Sequence, residues 1–162
     1  MVLKVAQNAV DIWSMIHQTM PEKAKSLQNY GCCGAQNLDV HAANLGAPID
    51  EVDRAINARK NCIKCAILKF NQEATSYAYN SNHCENDFGT ARRAFCECDK
   101  EFIEKVLKYD THTHNPQRCQ YRSGADESTG ECCQTKSGSF QLYNSYLFTC
   151  CDGVVTSIGN CI

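Results

Sequence analysis

Cysteine is the residue type with the most chemistry in this chain, and its spacing favours disulfide bonds. The 162 residues include 13 cysteines, a number typical of extracellular proteins that disulfides stabilise. The adjacent pairs Cys132-Cys133 and Cys150-Cys151 suit such a network. Zinc is the alternative, because Cys62-x-x-Cys65 and Cys96-x-Cys98 could each supply two thiolates. The odd total predicts one unpaired thiol or an intermolecular bridge.

Two charged residues occupy inward positions on predicted helices. The apolar stripe of one helix consists of Ile49, Val52, Ile56, Ile63, Ile67 and Phe70. Arg59 interrupts that stripe, and Asp99 lies in the same way between Phe95 and Phe102 on a later helix. Burying either charge alone would cost several kcal/mol, so we expect the two to pair. The alternative is that Arg59 only extends to the rim of its helix.

Apolar residues at helical spacing predict three helices. The first is marked by Val5, Ala9, Ile12, Trp13 and Ile16 and ends before Pro21. The second carries Arg59 and begins near Pro48, a residue that suits the first turn of a helix. The third runs roughly from Thr90 to Tyr109, with Phe95, Cys98, Phe102, Val106 and Leu107 on one side.

The composition changes after Tyr109, where residues 110–138 hold polar and turn residues without a helical period. Apolar residues then alternate with polar ones at Phe140, Leu142, Tyr146 and Phe148, around a turn at Asn144-Ser145. Asp152-Gly153 is a hairpin signal before the β-prone run 154–156. We therefore predict a helical domain at residues 1–118 and, packed on it, a cysteine-rich β extension at residues 119–162 that forms a small meander.

The overall charge and hydropathy narrow the range of partners. A net charge of −2 and a pI near 6.2 give no reason to expect nucleic acid or an anionic membrane. No apolar run reaches the length that spans a bilayer. The segment from Met1 is amphipathic and lacks an unbroken apolar core, so we expect no signal peptide and, for a secreted protein, a mature form.

Four short motifs follow one another in a characteristic order. They are Tyr30-Gly31-Cys32-Cys33-Gly34, the helix start 48–54 (PIDEVDR), Asn61-Cys62, and Cys84 followed by Cys96-Glu97-Cys98-Asp99. Over roughly residues 5–109 they resemble the secreted phospholipase A2 family, whose calcium loop reads Y-G-C-x-C-G and whose third helix carries C-x-C-D. The resemblance implies a mainly α fold, with an N-terminal helix and a disulfide-linked antiparallel helix pair.

The same resemblance implies that the catalytic site is degenerate. The family's active helix reads D-R-C-C-x-x-H-D-x-C-Y, whereas residues 53–63 read DRAINARKNCI. Arg59 falls on the general-base histidine and Lys60 on the calcium-binding aspartate, while the supporting aspartate survives as Asp99. Arginine stays protonated and cannot take a proton from water, and calcium needs an oxygen ligand where Lys60 brings positive charge. We therefore expect no hydrolase activity and no bound calcium.

Disulfide positions follow from the resemblance too. It implies bridges Cys62–Cys98 and Cys84–Cys96. A further family bridge falls on Ala55 and Lys105, so both of its partners are replaced together. Ile56 replaces one more family cysteine, which leaves Cys32 or Cys33 to pair elsewhere. The partners of nine cysteines stay open: Cys32, Cys33, Cys65, Cys119, Cys132, Cys133, Cys150, Cys151 and Cys161.

The function we expect is a secreted, non-catalytic binding protein for a protein partner or a lipid. In the family an apolar channel admits an acyl chain, and here Val5, Ile12, Ile16 and Ile63 either line a remnant of it or fill the core. An active calcium-dependent phospholipase A2 is an alternative if the register is wrong. The histidines are His17, His41, His83, His112 and His114, none at an expected catalytic position.

A structural matrix protein of a mineralised tissue, with a mineral surface as partner, is a second alternative. The segment from Cys132-Cys133 through Tyr143-Asn144 to Cys150-Cys151 is similar to repeats of galaxin-like coral skeleton proteins. Otoconins are phospholipase-like proteins of calcium carbonate organs. Against this role, the chain lacks acidic runs that would hold mineral ions. A toxin resembling the lysine-substituted snake homologues would need cationic clusters, which the net charge of −2 does not favour.

Overall fold

A computed structural model of the chain describes residues 9–111, 119 and 130–161. The helices of these ranges are α1 (Ile12–Thr19), α2 (Ala24–Leu27), α3 (Ala35–Leu38), α4 (Glu51–Phe70) and α5 (Ala91–Val106), with a 3₁₀ turn at Pro21–Lys23. The strands are β1 (Ala9–Val10), β2 (Tyr77–Asn80), β3 (His83–Cys84), β4 (Gly130–Gln134), β5 (Phe140–Asn144), β6 (Phe148–Cys151) and β7 (Val154–Ser157). The fold is therefore helical, with small antiparallel strands. Val5, His112, His114 and the domain boundary expected at residue 118 lie outside the described residues.

Side-chain caps decide where the long helices begin. The Asp11 carboxylate accepts from the Ser14 N–H at the start of α1, and the Asp50 carboxylate accepts from the Asp53 N–H at the start of α4. Thr90 caps α5 by accepting from the Arg93 N–H. Each cap satisfies a backbone donor that has no partner within the helix.

The observed helix ends correct three of the expected positions. Ala9 lies in β1, not in the first helix, because the helix starts only after its cap at Asp11. The second helix starts at Glu51, so Ile49 precedes it and is 42% exposed. Leu107 follows the last residue of α5 and is 50% exposed, so it does not continue the inward face of that helix.

Helix α4 is the element against which the others pack. It contacts α5 on one side and β5 on another, while α1 packs on α5. The shared core includes Met15, Ile16, Leu27, Val52, Ile56, Ile63, Phe95, Phe102, Val106 and Phe140. Because Phe140 belongs to the strand region and the rest to the helices, one core joins both parts. Among the described helices, none is long and apolar enough to cross a membrane.

The strands form three separate antiparallel sheets. The first is three-stranded, in the order β1-β2-β3, and lies beside α5. The C-terminal strands form two hairpins, β4-β5 and β6-β7, which share no backbone ladder. The small meander expected at residues 119–162 is therefore not seen as a single sheet among residues 130–161. The hairpin predicted at Asp152-Gly153 is confirmed, since both residues have positive φ between β6 and β7.

Six disulfides connect these elements. They are Cys32–Cys119, Cys62–Cys98, Cys65–Cys132, Cys84–Cys96, Cys133–Cys150 and Cys151–Cys161. Cys62–Cys98 joins α4 to α5, and Cys65–Cys132 joins α4 to β4. The four cysteines considered as zinc ligands are all bridged, and a cysteine in a disulfide has no thiolate to give to a metal.

Loss of the bridge between α4 and the first C-terminal hairpin should destabilise the protein strongly. Replacing both Cys65 and Cys132 by Ala opens a link between residues 67 apart in sequence, which should cost about 2–4 kcal/mol in the free energy of unfolding. Chemical denaturation measures this. The matched control replaces Cys151 and Cys161, which are only 10 apart; an equal or larger loss in that variant would contradict the role given to Cys65–Cys132.

Candidate functional site

A buried ion pair connects the two long helices. The Arg59 Nε–H donates to Asp99 Oδ1 at 2.7 Å, and the side chains are 6% and 4% exposed. This is the pairing that the helical spacing predicts. A second guanidinium N–H of Arg59 donates to the Leu38 carbonyl at 2.9 Å. The guanidinium therefore contacts both α5 and the chain that precedes α4.

Tyr77 on β2 completes the environment of this carboxylate. Its hydroxyl donates to Asp99 Oδ2, so each oxygen of the carboxylate accepts a hydrogen bond. Burial raises the pKa of the Tyr77 hydroxyl well above its ordinary value, and the charge of Asp99 and the hydrogen bond to it raise it further. Arg59 lowers the same pKa, but by less. Tyr77 is accordingly a neutral donor to the Asp99 carboxylate.

Lys60, the next residue after Arg59, places its ammonium group among oxygen atoms. Its Nζ donates to the carbonyl of Ala42 at 2.6 Å, to that of Cys33 at 3.1 Å and to the Asn44 side-chain oxygen at 2.7 Å. The residue is 2% exposed. A buried ammonium needs such acceptors, because they replace the water that it has lost. We call these three oxygens the oxygen cage.

The segment that supplies the oxygen cage has an unusual backbone. Gln36, Asn37 and Leu38, which are not glycines, have φ values of 54°, 55° and 66°. This left-handed region is uncommon for residues with a side chain. Hydrogen bonds from Arg59 to Leu38 and from Lys60 to the residues on either side hold the segment in this conformation.

Asp53 fixes the other end of the same segment. Its carboxylate is fully buried and accepts from the backbone N–H groups of Cys32 and Cys33, both at 2.9 Å, and of Ile49 at 3.0 Å. The carboxylate lies so close to Gly31 that a Cβ there would be 2.5 Å from Asp53 Cγ. Gly31 also has a φ of 59°, so both space and conformation require glycine at this position.

Comparison with known proteins finds phospholipases A2 among the relatives of this chain. No family model and no solved structure matches the chain. The chain is 28% identical over 127 residues to a basic phospholipase A2 of Micrurus corallinus, and the match covers 70% of this chain and 82% of the relative. It is 28% and 26% identical over 91 residues to the phospholipases A2 of Ovis aries and Bos taurus, covering 49% of this chain and 68% and 58% of those proteins. The chain is phospholipase A2-like.

In this phospholipase A2-like chain the expected site residues separate into two groups. Arg59 and Asp99 form the buried ion pair, and Lys60, the next residue of α4, donates to the oxygen cage. Ile12, Ile16 and Ile63 are buried members of the hydrophobic core, and Val5 is outside the described part of the chain. The structure joins Cys62 to Cys98 and Cys84 to Cys96, the two bridges that the resemblance implies.

The described histidines form no hydrogen bond or ion pair with Arg59 or Lys60. His41 pairs with Glu73 at 2.9 Å, and both side chains are more than half exposed. His17 and His83 are exposed as well. Among the residues that the structure describes, no group of three or more His, Cys, Asp or Glu side chains could hold a metal ion.

Three contributors to the site were not singled out from the sequence. Tyr77 meets Asp99 of α5, and Ala42 and Asn44 of the oxygen cage meet Lys60 of α4, only through tertiary contacts. The sequence around these three residues gives no sign of them. Asp53 offered a signal, because its carboxylate follows Val52 in the first turn of a helix and could have been considered as an inward acid. The partners of Asp53 could have been sought in the stretch that contains Gly31, Cys32 and Cys33.

Removal of one partner from the buried ion pair should be costly. Replacing Asp99 by Ala leaves the Arg59 charge buried without its carboxylate, which should lower the free energy of unfolding by about 3–5 kcal/mol. A double variant with Asp99→Ala and Arg59→Leu should lose less than the sum of its single variants, because no unpaired charge remains. Denaturation of all three proteins measures the coupling. As a control, Arg54→Ala removes the exposed pair with Glu51 and should cost under about 1 kcal/mol. Additive losses at 59 and 99 would contradict the coupling.

The raised pKa of Tyr77 predicts a loss of stability at alkaline pH. The folded-state pKa lies above the unfolded value of about 10, so the contribution to stability is complete below that pH. It declines as the pH rises above it, since the unfolded state loses its proton first. Unfolding measured against pH should therefore show a decline above about pH 10 that is smaller in Tyr77→Phe. Tyr146→Phe, at an exposed position, is the control and should behave as the parent; an unchanged alkaline decline in Tyr77→Phe would contradict the assignment.

Proposed function

We propose that this chain is a secreted, non-catalytic phospholipase A2-like binding protein. In this assignment α4 and α5 form the family's antiparallel, disulfide-linked helix pair. Six disulfides and relatives that are phospholipases A2 support an extracellular location. The proposal has two chemical parts, the absence of a general base and the absence of a calcium site.

Arg59 supports the first part. On the proposed register it stands where the family has the histidine that takes a proton from water. A guanidinium has N–H donors and no acceptor, and it stays protonated in proteins. Its donors already contact Asp99 and Leu38, so the group acts as a structural cation. A general base must be within hydrogen-bonding reach of water and able to accept its proton, and Arg59 cannot accept one.

Lys60 supports the second part and is the single observation that carries the proposal. Calcium binds six to eight oxygen ligands, usually including carboxylates. Here the oxygens of Cys33, Ala42 and Asn44 accept from the Lys60 ammonium. A divalent cation within reach of the same oxygens would meet a positive charge a few ångströms away, and the repulsion would be strong in a buried setting. The residues present therefore do not fit a calcium ion.

The binding role then needs a surface other than the family's apolar channel. Ile12, Ile16 and Ile63 are 7%, 0% and 2% exposed and contribute to the core. In this proposal they fill the interior and take no ligand. The partner, whether a protein or a lipid, would meet the protein elsewhere on its surface.

Phospholipid hydrolysis tests the proposal. The oxidised protein should release no fatty acid from phosphatidylcholine vesicles, either with millimolar calcium or with a chelator, because it has neither the base nor the metal. Fatty acid release is measured by titration, with bovine phospholipase A2 as the active control. Calcium should also leave the melting temperature of the protein unchanged.

Calcium-dependent release of fatty acid would overturn the proposal and the register on which it rests. A variant distinguishes trace contamination from intrinsic activity. Lys60→Met removes the ammonium but adds no base or carboxylate, so a contaminant's activity would be the same in both preparations. Activity that changes with residue 60 would be intrinsic, and the catalytic site would then have to include this part of α4.

A further inference from the structure

A cleft lies between α4, α5 and β5, apart from the oxygen cage. Its volume is about 290 Å³, close to the lower end for small-molecule sites. Neither Lys60 nor Asp99 lines it. Ala55 and Lys105 both do, which are the two positions where the resemblance places a family disulfide. The cleft therefore occupies the place where that bridge is missing.

The walls of the cleft are fixed by covalent and hydrogen bonds. Cys62–Cys98 joins two of its walls, and Cys65–Cys132 ties β4, the partner strand of β5, to α4. The Phe140 N–H donates to Cys62 Sγ at 3.1 Å, and its ring meets that of Phe70 edge to face. A site with walls held in this way loses little conformational entropy when a ligand enters.

The accessible surface of the lining is mainly polar, above a small apolar floor. Phe102 and Phe140 are buried, and Leu142 is partly buried. The amide side chains of Asn61 and Gln141 make no hydrogen bond within the described part of the chain. They are therefore available to a ligand that has polar atoms at one end and an apolar body.

The charges of the lining favour an anion. Arg54 and Lys105 are exposed cations on two different helices, and Glu101 is the one acid among the described lining residues. Arg54 is paired with Glu51, whereas Lys105 and Glu101 lie one helical turn apart without forming an ion pair within the described residues. Arg59 also lines the cleft, but its charge is directed to Asp99. A carboxylate near Lys105 would gain a charge-assisted hydrogen bond.

We propose that this cleft binds a small amphiphilic anion, a carboxylate on a short aliphatic or aromatic body. The short apolar body lies against Leu142, which covers the buried rings of Phe102 and Phe140, and the carboxylate meets Lys105 and the amides. This inference names a ligand class for the binding role proposed above, and it rests on that proposed function. The two can fail separately, because one is measured by hydrolysis and the other by ligand binding.

Charge selection tests the proposal. Isothermal titration of the oxidised protein should show saturable binding of octanoate and none of octylamine at the same concentrations. Lys105→Gln should weaken octanoate binding roughly tenfold, which corresponds to about 1.4 kcal/mol. Glu101→Gln should strengthen it, because it removes a repulsive charge from the lining. Lys108→Gln is the matched control, since Lys108 is an exposed lysine near the end of α5 that does not line the cleft.

Blocking the cleft locates the binding. Ala58 lines it and is partly exposed, so Ala58→Leu should abolish octanoate binding while melting temperature and near-ultraviolet circular dichroism stay as in the parent. If Ala58→Leu does not fold, Lys105→Gln and Glu101→Gln still decide the question by their opposite signs. Absence of saturable octanoate binding, or equal effects of the changes at 105 and 108, would overturn the proposal.

Discussion

The buried cations Arg59 and Lys60 set the conditions that this part of the molecule must satisfy. Two consecutive residues of α4 bring full positive charges out of water, and each must find partners that replace the lost hydration. Asp99 and the Leu38 carbonyl do this for Arg59, and the oxygen cage does it for Lys60. The positions of α5, β2 and the segment before α4 are therefore connected through one electrostatic requirement.

That requirement also explains why an uncommon backbone persists. Three residues with side chains adopt positive φ at 36–38, a conformation that is costly unless the surroundings hold it. Here the surroundings do so from both sides, since α4 donates to Leu38 and to the residues around it, and Asp53 anchors Cys32 and Cys33. The hydrogen bonds that satisfy the cations are the same ones that hold the segment. The stability of the buried cations and the conformation of residues 36–38 therefore depend on the same hydrogen bonds.

The sequence allowed the prediction of interactions along one helix better than of interactions between distant segments. The inward positions of Arg59 and Asp99 follow from helical spacing, as does the hairpin at Asp152-Gly153 from its turn residues. Apolar periodicity places Ala9 inside the first helix and the start of the second helix near Pro48, whereas the caps Asp11 and Asp50 set both starts later. The contacts of Tyr77 with α5 and of the oxygen cage with α4 depend on how distant segments return to those helices, and no local pattern contains that information. The division of the C-terminal strands into two hairpins likewise depends on pairing between strands.

The two sides of α4 differ in whether their charged side chains are available to a ligand. Beside the oxygen cage every named charge is buried and bound to groups of the same chain, so exchange with a ligand would require breaking hydrogen bonds that support the fold. On the cleft side Arg54, Glu101 and Lys105 are at least partly exposed, and the rigid walls come from disulfides, not from those charges. A change in the exposed charges can therefore alter binding without altering the fold. In the proposed assignment this separation is what lets a phospholipase A2-like scaffold lack catalytic chemistry on one face and have a site that can accept a ligand on another.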